Sequence, residues 1–175
     1  SGTILWNFFA QTTTLATQQL VWGGALLNRI YVPRTVFAVS ALGTGLVNLS
    51  LALIPLGLIM LVTGAPFHPA LVFLPFSIFL AAAFTFGISL LLSSVAPVFP
   101  DIIEMYQVIL TAWYFLTPIF YPVKILSPEY SFWLRLNPMH HLVAAFRGPI
   151  YAGVFLSWHG LLGTMALTLG TLGFG

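Results

Sequence analysis

Between Arg34 and Asp101 the chain runs 66 residues without a single Lys, Arg, Asp or Glu. A soluble domain cannot be built on such a stretch. Each of its elements turns part of its surface to water, and about a quarter of an ordinary soluble chain is charged. Here the whole chain of 175 residues carries five Lys/Arg and three Asp/Glu, 5% charged against 59% hydrophobic. The same wealth of apolar side chains excludes disorder. The chain reads as a polytopic membrane protein.

Crossing a hydrocarbon core of ~30 Å takes about 20 apolar residues in a helix. The long stretch therefore predicts two spans, near 36–62 and 71–95, parted by the breaker Thr63-Gly64-Ala65-Pro66-Phe67-His68-Pro69. Charge-free runs elsewhere add spans near 3–22, 105–121 and 152–175. Backbone groups in lipid must be satisfied within the segment, which favours helices. No run alternates with the period of a barrel strand. The expected fold class is all-α, a polytopic transmembrane helical bundle with five spans in this chain.

Helical spacing recurs inside the spans. Tyr106, Ile109, Trp113, Leu116 and Phe120 fall on one stripe, as do Ser40, Thr44 and Asn48, and again Thr85, Ser89 and Ser93. Ala83 and Gly87 form a small-xxx-small pair. Such stripes suit helix–helix contacts. Asn48-Leu49-Ser50 has the form of a glycosylation sequon but lies inside a span and is set aside. The first span is unusually polar, with Gln11, Thr12, Thr13, Thr14, Thr17, Gln18 and Gln19, of which Gln11, Thr14 and Gln18 share a face. This much polarity should not meet lipid. Two readings stand: an interior helix packed by hydrogen bonds, or one wall of a hydrated pathway.

Residues 122–150 are too long for a turn and too short for a domain. Ser127-Pro128-Glu129 has the form of a helix start, and Asn137-Pro138 repeats it. The second helix would present Met139, Leu142, Val143 and Phe146 on one face and end at Gly148-Pro149. Two re-entrant half-helices, 128–136 and 138–147, fit this pattern, with surface-lying amphipathic helices as the alternative.

Several kinds of chemistry have no carrier. The chain has no cysteine, no G-x-x-x-x-G-K-[ST] loop, no G-x-G-x-x-G and no H-E-x-x-H. It therefore brings no nucleotide site of its own. His140 and His141 are adjacent and point roughly 100° apart on a helix, so they are poor co-ligands and no metal is expected. No basic patch exists to hold nucleic acid. Asp101 and Glu104 sit three apart at the start of a span, where acids favour the helix N-terminus and where a proton relay is the competing reading. Arg29 and Arg34 flank a short link between spans and read either as snorkelling anchors or as phosphate-recognising groups. The basics Lys124, Arg135 and Arg147 fall in 122–150, so loop charge does not decide orientation.

The order of features resembles the membrane subunit of ATP-binding-cassette exporters of polysaccharides, the O-antigen and teichoic-acid type. The resemblance rests on Trp6-Asn7-Phe8-Phe9 opening a span and on the link Leu27-Asn28-Arg29-Ile30-Tyr31-Val32-Pro33-Arg34. It continues with Val98-Phe99-Pro100-Asp101-Ile102, Pro118-Ile119-Phe120-Tyr121-Pro122, Asn137-Pro138 and Arg147, over essentially the whole chain. One position departs: Pro100 stands where this family usually has an Arg, so an ion pair or lipid-phosphate contact made there lacks its usual donor.

The resemblance implies six transmembrane helices per subunit, with a first helix and an amphipathic segment ahead of Ser1. It implies a homodimer in the bacterial cytoplasmic (inner) membrane, with a separate ATPase subunit that binds ATP and Mg, so that this chain is not itself an enzyme and holds no cofactor. Residues 23–34, with Asn28, Arg29, Tyr31, Pro33 and Arg34, would form the coupling segment against that ATPase. Asp101 and Glu104 would be a cytoplasmic acidic pair. Segment 122–150 would be the outer gate, with Pro122, Asn137, Pro138 and Arg147. The substrate would be a glycan or polyol-phosphate chain on a lipid diphosphate, passing Gln11, Thr14 and Gln18 and the aromatics Trp113, Tyr114, Phe120 and Tyr121. A drug or small-lipid exporter, or an intramembrane lipid-modifying enzyme using Asp101, Glu104 and the histidines, are the competing functions.

Overall fold

The computed structural model describes residues 2–22, 33, 35–64, 69–96, 99, 101–117, 137–152 and 158–174. These residues form the helices α1 (Gly2–Trp22), α2 (Thr35–Val62), α3 (Leu74–Val95), α4 (Ile102–Leu116), α5 (Pro138–Arg147) and α6 (Trp158–Phe174). A 3-10 turn at Pro69–Phe73 leads into α3, and a π turn at Gly148–Ala152 follows α5. No strand occurs among the described residues, in keeping with the all-α expectation.

Length and composition make α2 and α3 able to span a bilayer. Their 28 and 22 residues rise about 42 and 33 Å against a core of about 30 Å. Val39, Val47, Leu51, Ile54, Leu58 and Ile59 of α2 are all more than half exposed. In water that surface would drive aggregation, whereas lipid solvates it. Thr63 closes α2 by donating its hydroxyl to the Ile59 carbonyl at 2.7 Å. Gly64 then turns the chain with φ +63, a left-handed backbone that only glycine enters freely.

The polar helix α1 is the hub. It packs along α2 and α3 and also touches α4 and α5, while α6 packs along α3 and meets α5. The core it helps form is apolar and aromatic: Leu5, Trp6, Phe8 and Phe9 of α1 with Leu80 and Phe84 of α3, Tyr106 and Leu110 of α4, and Met139, Leu142, Val143 and Phe146 of α5. The last four residues are the face expected for the second half-helix.

Two expectations need correction. The span placed at 105–121 is helical only to Leu116, where Thr117 turns extended (ψ 124). Pro118 follows, and the residue before a proline is driven out of the helical region. The buried stripe of that helix is Tyr106 and Leu110, continued by half-buried Trp113 and buried Thr117; Ile109 and Leu116 are 55% and 63% exposed. In the last expected span the described helix is Trp158–Phe174. Gly148 keeps right-handed helical geometry (φ −52, ψ −53), and the chain runs on through the π turn to Ala152. Pro149, lacking an N–H, cannot continue the α ladder. The first half-helix, 128–136, lies outside the described residues.

Candidate functional site

A groove runs between α1 and α2. From α1 it takes Asn7, Gln11, Thr14 and Gln18, and from α2 Thr44 and Asn48. The α1 residues recur at steps of four, three and four, which is one helix face. Three adjoining hollows make up the groove, the largest of about 410 Å³ over Gln11, Thr14, Gln18 and Asn48. Asn7, Gln11, Thr44 and Asn48 are exposed, and Thr14 and Gln18 half-buried. Amide side chains at membrane depth need water, a polar ligand or a protein partner.

At the groove floor two small features meet. Gly45 is buried, and a Cβ added to it would collide with the Thr12 hydroxyl oxygen and come within 3.1 Å of the Phe8 ring. Thr12 is 1% exposed, yet its hydroxyl has no hydrogen-bond partner among the described residues. Its neighbours on α1 behave differently. Thr13 donates to the Phe9 carbonyl at 2.9 Å and Thr17 to the Thr13 carbonyl at 2.8 Å.

The opposite side of α1 faces an aromatic cluster. Trp113 meets Phe9 edge-on at 5.5 Å and Trp6 at 6.3 Å. Tyr114 lies 5.4 Å from Trp6, and Phe9 stacks on Phe84 at 5.7 Å. The Tyr106 hydroxyl donates to the Thr13 hydroxyl oxygen at 2.8 Å, pinning α4 to α1.

Asn137 joins this cluster to α5. Its Oδ1 accepts from the Trp113 indole N–H at 2.9 Å and from the Met139 backbone N–H at 3.0 Å. Its Nδ2 donates to the Thr117 hydroxyl oxygen at 3.0 Å. Thr117 in turn donates to the Trp113 carbonyl at 2.9 Å. One buried side chain thus caps α5 and ties it to the end of α4, with Pro138 at the first helical position, where its missing N–H costs nothing.

Of the expected substrate-path residues, Gln11, Thr14 and Gln18 come together in the groove, while Trp113 and Tyr114 pack in the aromatic cluster. Phe120 and Tyr121 lie outside the described residues. Among the outer-gate set, Asn137 and Pro138 start α5 and Arg147 stands in its last turn, where a cation suits the helix C-terminus; Pro122 lies outside. Among the coupling set, Asn28, Arg29, Tyr31 and Arg34 lie outside, and exposed Pro33 offers its carbonyl to the Val36 N–H at 3.1 Å. Asp101 occupies the N-cap position of α4 without a side-chain cap bond, and Glu104 its first turn; both are exposed. Sequence reading named Asn7 only in the motif that opens the span and left it off the polar face, although it lies four residues before Gln11. It treated Asn48 as part of a packing stripe and of a discarded sequon, and missed the Thr12–Gly45 contact, which no single-helix pattern reveals.

Long apolar helices packed around a polar hub, with an amide-lined groove beside it, define a helical membrane domain. Residues 1–151 match the family described as ABC-2 type transporter, and the chain belongs to that family. It thus carries the membrane domain of an ABC-2 type transporter. It is 28% identical over 156 residues to "O-antigen export system permease protein RfbA" of Myxococcus xanthus, an alignment covering 86% of this chain and 58% of that protein. The chain thus spans under two thirds of the length of this curated relative.

Proposed function

We propose that the chain is the transmembrane subunit of an exporter that moves a lipid-linked polysaccharide or polyol-phosphate polymer across the bacterial cytoplasmic membrane, as a homodimer powered by a separate ATPase subunit. The observation that carries this reading is the amide stripe of α1 on a bundle whose described spans hold no charge in their interiors. Proton- or sodium-coupled carriers place ionisable groups at membrane depth. An uncharged, hydrogen-bonding wall suits a sugar chain instead. The relative that exports O-antigen supports the same substrate class.

In reconstituted vesicles, movement of a lipid-linked glycan is expected to require the ATPase subunit and ATP and to continue in the presence of a proton uncoupler. Transport by this subunit alone under an imposed pH gradient would overturn the proposal and return attention to Asp101 and Glu104.

Energy would enter through 23–34, the short link between α1 and α2. Replacing Arg29 and Arg34 together by Ala is expected to lower export and substrate-stimulated ATP hydrolysis while the protein still inserts. Unchanged export from a normally expressed double variant would remove this segment from the coupling path. The outer gate would be 122–150. Single cysteines at Ser127, Asn137 and Gly148 are expected to label from one face of the membrane. Labelling of Ser127 and Gly148 from opposite faces would make the segment a full span instead of a re-entrant pair.

A further inference from the structure

We infer that the α1–α2 groove binds the neutral, hydroxyl-bearing sugar units of the exported chain and selects against polymers whose repeats carry phosphate. This rests on the exporter reading above and narrows its substrate class. Asn7, Gln11, Gln18 and Asn48 each present two amide donors and a carbonyl acceptor. Sugar hydroxyls donate and accept side by side, so an amide meets both needs without a charge. From Asn7 to Gln18 the ladder extends about 16 Å along α1, a track rather than a single pocket.

Among the described residues the groove lining contains no Lys, Arg or His. A phosphodiester entering it would leave water without a cation or the fork of an Arg to receive it, which disfavours a charged repeat. Thr12 adds an independent sign of a ligand. The buried hydroxyls of Thr13, Thr17, Thr85, Ser89 and Ser93 each donate to a carbonyl four residues back. The Thr12 hydroxyl is instead buried against Gly45 at the groove floor with no hydrogen-bond partner among the described residues. A docked helix is a poorer occupant. Close helix seams use small residues, and here Gln11, Gln18 and Asn48 hold a neighbouring backbone away.

The test uses the full-length subunit with its ATPase in proteoliposomes and two synthetic probes on one polyprenyl diphosphate anchor, a neutral hexose oligomer and a glycerol-phosphate oligomer of equal length. The neutral probe should be moved in preference. Gln11→Leu with Asn48→Leu should weaken its apparent affinity about tenfold, the loss of two or so hydrogen bonds. Thr12→Val keeps the side-chain shape and removes one donor, and should weaken it about three- to tenfold. Gln11→Asn, which retains the amide, should recover part of the loss. Unaltered affinity in both the double variant and Thr12→Val, or preference for the phosphate probe, overturns the inference while leaving the exporter reading in place. Loss of subunit assembly in the double variant, with Thr12→Val unaffected, would make the groove a helix seat and also overturn it. Movement of neither probe by the wild-type complex would defeat the exporter reading and the inference together.

Discussion

Gly87→Leu is expected to unseat α6 from α3 and leave little folded protein, while Gly87→Ala lowers stability by about 1–3 kcal/mol, the usual range for overpacking. The reason is a backbone contact. A Cβ at Gly87 would stand 2.9 Å from the Thr171 carbonyl carbon and 2.6 Å from its hydroxyl oxygen. The hydroxyl can rotate, but the backbone of α6 cannot yield without the helix shifting as a unit. Around this point the seam is made of small hydroxyl residues: buried Thr85, Ser89 and Ser93 of α3, and buried Thr164 and Thr168 of α6. Thr85, Ser89, Ser93 and Thr168 turn their protons back onto their own helices, so the facing surfaces can approach closely. Gly43→Ala and Gly57→Ala in α2 are the controls, since a Cβ at either meets nothing within 4 Å. Melting temperatures in detergent should fall for Gly87→Ala and stay near wild type for both controls. Equal behaviour of the three would mean that α6 does not seat where Gly87 faces it.

The Gly87 contact also shows what a membrane sequence reveals and what it hides. Ala83-xxx-Gly87 marks a close approach, but not to which helix. The spans themselves follow from missing charge, and the breaker at Thr63–Gly64 and the cap at Asn137-Pro138 follow from local chemistry that acts within a few residues. The facing of α4 does not. Glu104, Gln107 and Thr111 mark one exposed side, but the rest of the helix is apolar, and where lipid is as apolar as the core, hydrophobic spacing cannot tell the buried side from the lipid side. Tyr106 and Leu110 face in and Ile109 faces out for reasons that lie on α1: Thr13 receives the Tyr106 hydroxyl. On α1 the residues behind the two readings lie on different faces. Thr13 and Thr17 turn inward and pack through hydrogen bonds, while Gln11, Thr14 and Gln18 line the groove on another face. The end of α4 at Leu116 was legible from Pro118 alone, since a proline restrains the residue before it.

Asn137→Ala is expected to cost about 2–5 kcal/mol and to loosen α5 before any other helix. The substitution removes an N-cap, worth about 0.5–2 kcal/mol. It also strips the partner from the Trp113 indole N–H and the donor from the Thr117 hydroxyl, and an unsatisfied buried group costs about 1–3 kcal/mol. Asn137 and Thr117 are 6% and 2% exposed, so water does not readily replace the lost bonds. Hydrogen exchange should report the order of events: amides of Met139 and His140 exchange faster first, with those of α3 little changed. Trp113→Phe separates the parts. It keeps a ring against Phe9 and Trp6 but removes the N–H together with part of the indole, leaving Oδ1 of Asn137 bonded to the Met139 N–H, so a loss of about 1–3 kcal/mol is expected. The double variant should cost less than the sum of the two, because the shared hydrogen bond is removed only once. Strict additivity would show that Trp113 and Asn137 act independently. Coupling would establish that Trp113 and Asn137 stabilise the fold as one unit, the hydrogen-bonded join between α5 and the end of α4.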